Sequence, residues 1–287
     1  MGFLAMLLAL LLDQVRHPYE PWRGVRWFRV YLDALPGLVR LTGHWRAGAA
    51  VLLIVLVPAV VTLFLGHVLS HIWSVFGFLF ATAVLLFTLG PRDLHKQVRA
   101  YMDAVQAGES ARARQLAREL LGTEPPEDSV ACSEAMTRAV LATVNDSLFG
   151  VLLWFALLGP GGAVLYRVTC FLHQSPPAGA SPRFREMTTR LYGVLAWLPA
   201  HLAALGYALA GGFEDALSDL RSYYATCRAQ FVEMNSDVMA CAGLGALRGT
   251  AADAGIGRLR AALALVQRTL VIWLVVYALI SLLGLAW

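Results

Sequence analysis

Between Arg46 and Arg92 the chain carries no Asp, Glu, Lys or Arg for 45 consecutive residues. A water-soluble core has no use for such a run, whereas about 20 apolar residues suffice to cross a bilayer. As one helix the run would extend roughly 68 Å at 1.5 Å per residue, far beyond the ~30 Å hydrocarbon core. It must therefore fold back, and Gly66-His-Val-Leu-Ser-His71 is the segment expected to turn. The rest of the composition agrees: 15% of residues are charged and 58% hydrophobic, against about 25% charged in soluble domains. The chain reads as an all-α polytopic integral membrane protein with about six transmembrane or re-entrant helices and cytoplasmic helical loops.

Six apolar stretches carry this reading, at residues 3–12, 47–69, 72–89, 148–172, 191–210 and 263–287. The first is only about 15 Å long as a helix, too short to span unaided. The fifth contains Pro199 and His201, which points to a kink or to support from other helices. If all six cross, segments 13–46, 90–147 and 212–260 share one face and collect eighteen of the 23 Lys and Arg residues. Cytoplasmic loops carry the basic excess, so these segments are expected in the cytoplasm. The turn near 70, the loop at 173–190 and both termini then face outward. Residues 1–287 form a single membrane domain on this reading, with a cytoplasmic helical insertion at 90–147 and a second cytoplasmic segment at 212–260. The apolar N-terminus lacks a basic region and a small-residue cleavage site, so it is expected to stay in place.

The insertion has readable helices. Leu94, Val98, Tyr101, Met102 and Val105 recur at helical spacing behind Asp93, a suitable N-cap. A second helix runs over 111–121 to Gly122, and a third starts near Ser129 after Glu-Pro-Pro-Glu-Asp. Nothing reads as a strand.

The chemistry-bearing residues are few. No phosphate-binding loop, nucleophile elbow, zinc-protease motif or spaced cysteine set is present. His67 and His71 stand one helical turn apart, but two histidines without further ligands make a poor metal site. No metal or cofactor is implied by the residues themselves. The net charge of +4 comes from 22 Arg and Lys96 with no basic run, so no nucleic acid is expected. Membrane lipids are the expected partners, and a homo-oligomer is permitted. Two polar clusters follow apolar stretches directly: Asp13, Arg16 and His17 after the first, and Arg92, Asp93 and His95 after the third. They are candidates for one ligand site at the cytoplasmic surface, suited to an anionic or amide-bearing ligand. Helix capping and headgroup anchoring are the simpler explanation of the same residues taken singly.

The order of segments resembles the CobD/CbiB family of membrane proteins, and within it the AmpE branch. The resemblance rests on Asp13…His17-Pro18, Leu120-Leu121-Gly122, Asn145-Asp-Ser-Leu-Phe-Gly-Val-Leu-Leu-Trp154, Leu158-Gly-Pro-Gly-Gly-Ala-Val-Leu-Tyr166-Arg, Trp197-Leu-Pro-Ala-His-Leu202 and Ala240-Cys-Ala-Gly-Leu-Gly-Ala-Leu247. Members of the CbiB type are adenosylcobinamide-phosphate synthases, which amidate a corrinoid carboxylate with ATP and Mg²⁺. Members of the AmpE type are inner-membrane proteins linked to β-lactamase induction alongside a peptidoglycan-recycling amidase.

The departures bear on which branch applies. Where the synthases carry Glu-Asn-x-x-Asp-Gly, this chain has Ala142-Thr-Val-Asn-Asp146-Ser. Their Asn-Thr-Leu-Asp-Ser-Met aligns with Cys170-Phe-Leu-His-Gln-Ser175, and their Asp-Asp-x-x-Asn with Tyr192-Gly-Val-Leu-Ala196. Only Asp146 survives, and it joins the candidate ligand-binding residues. With the metal-binding carboxylates replaced, the resemblance implies a signalling or regulatory protein of AmpE type in the bacterial inner membrane. Its partner would be a cell-wall precursor or fragment, or the recycling amidase. A diverged synthase-like enzyme and a membrane permease subunit are the alternatives.

Overall fold

The computed structural model describes residues 2–15, 26–33, 35–41, 43–89, 93–226, 231–248 and 255–283. Among them every regular element is helical. In chain order these are α1 (Gly2–Val15), α2 (Arg26–Asp33), α3 (Pro36–Val39), α4 (His44–Ile72), α5 (Ser74–Thr88), α6 (Asp93–Gln106), α7 (Ser110–Leu121) and α8 (Ser129–Val144). One turn of π-helix, Asn145–Phe149, leads into α9 (Gly150–Gln174), followed by α10 (Pro182–Ala210), α11 (Phe213–Thr226), α12 (Phe231–Ala246) and α13 (Ile256–Leu282). Four helical runs are long and apolar enough to cross a membrane: Trp45–Ile72, Ser129–Gln174, Pro182–Ala210 and Ile256–Leu282. The chain is a polytopic helical membrane protein. It divides into two compact units, one of residues 1–90, 146–199 and 274–287, the other of residues 91–145 and 200–273.

In the first unit the long uncharged run is a helical hairpin of α4 and α5. The turn falls at Trp73, which adopts extended backbone (φ −160°, ψ 130°), and not at Gly66–His71, which remain helical. Gly77 explains the shift. A Cβ there would stand 2.7 Å from Ser70 Cβ, so a glycine four residues past the turn lets the two helices close immediately. Gly66 instead faces Pro160, where it serves packing.

The fourth apolar stretch reverses as well. Gly159 has φ 68° and ψ −158°, a region open to glycine almost alone, and it splits α9 into arms of residues 150–158 and 160–174. Pro160 opens the second arm, where a missing amide hydrogen costs nothing. The arms are antiparallel: Gln174 Nε2 lies 3.0 Å from Asp146 Oδ2, 28 residues away. A Cβ on Gly162 would run into the Trp154 carbonyl, and one on Gly161 into Leu63. The Gly-Pro-Gly-Gly sequence is thus the apex of a re-entrant hairpin wedged against α4.

This reversal corrects the expected position of the 173–190 loop. Ser181 Oγ donates to the Leu41 carbonyl at 2.7 Å, so the loop lies with segment 13–46 and not on the opposite face. The cause is local. Hydropathy marks 148–172 as long enough to cross, but the glycine at its centre turns the chain back.

A buried cluster in this unit joins four helices. Phe28 and Leu32 of α2 bury against Ala50, Val51, Ile54 and Val55 of α4, Val168, Phe171 and Leu172 of α9, and Phe184 of α10. Phe28 stacks on Phe171 with ring centroids 5.5 Å apart. By contrast Leu53, Val57, Val60 and Phe64 of α4 are exposed, as lipid-facing residues are.

The second unit contains the insertion helices. α6 presents Val98, Tyr101, Met102 and Val105 to Met136 and Val140 of α8 and to Leu259 and Leu263 of α13. The Asp128 carboxylate caps α8 by accepting from Ala131 N at 2.9 Å, and Gly122, at φ 68°, ends α7. Ion pairs between Arg138 and Asp237 (2.6 Å) and between Arg258 and Glu134 (2.7 Å) tie α8 to α12 and α13. Cys132, Cys170 and Cys241 are free thiols; Cys227 lies outside the described residues.

Candidate functional site

A polar cluster forms where the two ends of the re-entrant hairpin meet α10. Asp146, in the π-helical turn, is half-buried. Single π-turns inside helices re-aim a side chain and are frequent at functional sites. Tyr192 of α10 donates its hydroxyl to Asp146 Oδ1 at 2.7 Å, and Tyr166 of the second arm donates to the same oxygen at 3.2 Å. Gln174 supplies a third donor to Oδ2. A carboxylate with three donors is well satisfied inside a membrane protein, where an unpaired charge is costly.

The neighbours of this carboxylate are arranged tightly. The His173 ring stacks on Tyr192 with centroids 4.3 Å apart and planes 9° from parallel, and its Nδ1 lies 3.4 Å from Thr189 Oγ1. Arg167 Nη1 donates to the Asp146 backbone carbonyl at 3.4 Å, and its guanidinium sits 4.3 Å over the Phe171 ring. Tyr166 is fully buried, and room for it depends on Gly150, whose Cβ would overlap the tyrosine ring. Trp154 Nε1 donates to the Leu195 carbonyl at 3.0 Å, which holds α10 against the first arm.

Of the residues singled out from the sequence, Asp146 is the one whose surroundings are described in full. Asp13 is buried near the end of α1. Asp93 and His95 lie at the start of α6, but their side chains, together with Arg16, His17 and Arg92, lie outside the described residues. Tyr166, Arg167, His173, Gln174 and Tyr192 were missed. The available signal was the Gly-Pro-Gly-Gly break: a chain that reverses at residue 159 pairs positions equally far before and after it, which sets 146 beside 172–174.

The histidine pair of α4 sits elsewhere. His67 lines a cavity of about 490 Å³ at the apex of the hairpin, with Gly66, Ser70, Ser74 and Gly77 around the α4–α5 turn and Gly159 and Pro160 opposite. Its ring is 6.1 Å from that of His71. Among the described residues no group of three or more His, Cys, Asp or Glu is placed to hold a metal ion.

Comparison with known proteins places these features in context. The family described as "CobD/Cbib protein" matches residues 4–255. The cobalamin biosynthesis protein CobD of Chromobacterium violaceum is 27% identical over 225 residues, covering 71% of this chain and 68% of the relative. The protein of the same name from Stutzerimonas stutzeri is 28% identical over 144 residues, 49% of this chain and 48% of its own length. No solved structure matches the chain significantly.

Proposed function

The chain belongs to the CobD/CbiB protein family, and on that premise we propose that it handles a corrinoid as a diverged relative of adenosylcobinamide-phosphate synthase. In this reading the Asp146 cluster recognises a carboxylate- or amide-bearing side chain of the ring. One observation carries it. The three segments that align with the synthase acidic motifs, 142–147, 170–175 and 192–196, supply Asp146, Gln174 and Tyr192 to a single hydrogen-bonded cluster, with His173 stacked on Tyr192. Segments up to 46 residues apart in sequence meet at the positions where family motifs stand. Both relatives named above are cobalamin biosynthesis proteins, which favours this reading over a regulator of AmpE type.

The residues present do not fit magnesium with ATP. Mg²⁺ is held by carboxylates and water in near-octahedral geometry, and here one carboxylate already accepts from three side chains. At the aligned acidic positions stand His173 and Tyr192. The cluster is built to hold an organic polar group by hydrogen bonds. This same replacement is what favours the second reading, an inner-membrane regulator linked to β-lactamase induction.

A deletion strain separates the two. The corrinoid reading predicts an altered pool of cobyric acid and its amidated products, restored by the wild-type gene and not by the Asp146→Ala variant, with normal β-lactam response. An unchanged corrinoid pool with altered β-lactamase induction would replace it with the regulatory reading.

A further inference from the structure

We propose that Arg167 is the group that grips an oxyanion of the bound ligand, a carboxylate or a phosphate, beside Asp146. Arg167 is 6% exposed, so its guanidinium is almost wholly withdrawn from water. A guanidinium offers five N–H donors in a fixed fork. Here a single long contact, 3.4 Å to the Asp146 backbone carbonyl, is made from Nη1, and Nε is buried without a hydrogen-bond partner. The Phe171 ring covers one face of the cation but accepts none of its in-plane hydrogens. The Asp146 carboxylate is a charge partner of Arg167 but pairs with none of its N–H groups, because both oxygens of Asp146 accept from Tyr166, Tyr192 and Gln174.

A buried guanidinium whose hydrogen bonds are unmade is expensive in a helical hairpin of a membrane protein. Carboxylate and phosphate match its fork with two parallel bonds. A neutral amide offers one acceptor oxygen and sets an N–H donor where the fork needs a second acceptor. At the hairpin's open end Gln174 is exposed and Asp146 and His173 are half-buried. The identity of the ligand as a corrinoid carboxylate rests on the reading proposed above; the demand for an oxyanion rests on Arg167 alone.

The test uses the full chain purified in detergent, with thermal unfolding followed by tryptophan fluorescence at constant ionic strength. Titration with sodium acetate, sodium phosphate and acetamide separates a carboxylate, a phosphate and a neutral isostere. At least one of the two anions should raise the unfolding temperature of wild type while acetamide does not. Whichever anion acts identifies the chemistry. Phosphate also stabilises proteins generally, so the difference between wild type and Arg167→Gln is the readout. Arg167→Gln should weaken the anion dependence about tenfold or more, the worth of a charge-assisted hydrogen bond, and Arg167→Lys should keep part of it. If Arg167→Gln does not fold, Arg167→Lys and the acetate-to-acetamide contrast in wild type decide. Equal shifts with acetate and acetamide, no shift with either anion, or an undiminished shift in the variants would overturn the proposal. Binding of cobyric acid is measured in parallel by its absorbance. If the anions act through Arg167 while cobyric acid fails to bind, the oxyanion site stands and the corrinoid reading falls.

Discussion

Tyr192 makes two contacts at once, a 2.7 Å hydrogen bond to Asp146 and a parallel stack on His173. Tyr192→Phe therefore keeps the stack and removes only the donor, leaving a charged acceptor short of one partner at a cost of about 1–3 kcal/mol. Thermal unfolding of the two purified proteins measures that loss directly, and the account expects cobyric acid affinity to fall with it. Gly150→Ala should do more damage than Tyr166→Phe. The added methyl group would occupy the space of the Tyr166 ring and push the whole side chain off Asp146, whereas Tyr166→Phe deletes one hydroxyl. An unfolding temperature for Gly150→Ala at or above that of Tyr166→Phe would show that the arms are less tightly packed than they stand here.

The re-entrant hairpin depends on one backbone conformation. Gly159→Ala places a side chain where φ is 68° and ψ −158°, costing about 1–3 kcal/mol, and a straightened α9 would separate Gln174 from Asp146. Loss of cobyric acid binding together with reduced stability is the expected outcome, measured on the same preparation. In the other unit, α6 carries a different liability. Burial, with the Cys132 thiol 3.6 Å away, pushes the Tyr101 hydroxyl up to about 12. The folded state therefore prefers the protonated phenol. Its contribution to stability is complete below the ordinary tyrosine value near 10 and is lost as pH rises from there toward 12. Tyr101→Phe should flatten the fall in unfolding temperature over that alkaline range.

These elements differ in how legible they were. The helices of the insertion followed from the spacing of Val98, Tyr101 and Met102, from the stop at Gly122 and from the linker ahead of Ser129, because such signals act locally. The hairpin at Gly159 did not follow from hydropathy. Residues 148–172 are apolar throughout, so length alone cannot tell one crossing from two half-crossings, and the decisive signal was backbone freedom at a single glycine. The turn at Trp73 was misplaced for a related reason: Gly66 answers to a side chain from a distant segment, Pro160, whereas Gly77 permits the close approach of α4 and α5. The Asp146 cluster was legible only at Asp146 itself, since its other members arrive through tertiary folding.

At the scale of the molecule, the return of the α9 hairpin sets loop 175–181 on the side of segment 13–46, where Ser181 bonds to Leu41. That loop brings Arg183, Arg185 and Arg190 close behind it, which suits a cytoplasmic position. In a cysteine-free background, Gly37→Cys and Ala178→Cys should both resist a membrane-impermeant maleimide in intact cells and react after permeabilisation. Labelling of position 178 alone from outside would restore a full crossing by residues 148–172. The central proposal is that the Asp146 cluster receives a corrinoid without metal-dependent ATP chemistry. Equilibrium binding of cobyric acid to the purified chain, with and without Mg·ATP, tests it most directly. The account predicts saturable binding that is indifferent to Mg·ATP, is weakened in Asp146→Asn and Tyr192→Phe, and occurs without ATP hydrolysis. Absence of binding to wild type, or binding that requires Mg·ATP and is accompanied by its turnover, would contradict it.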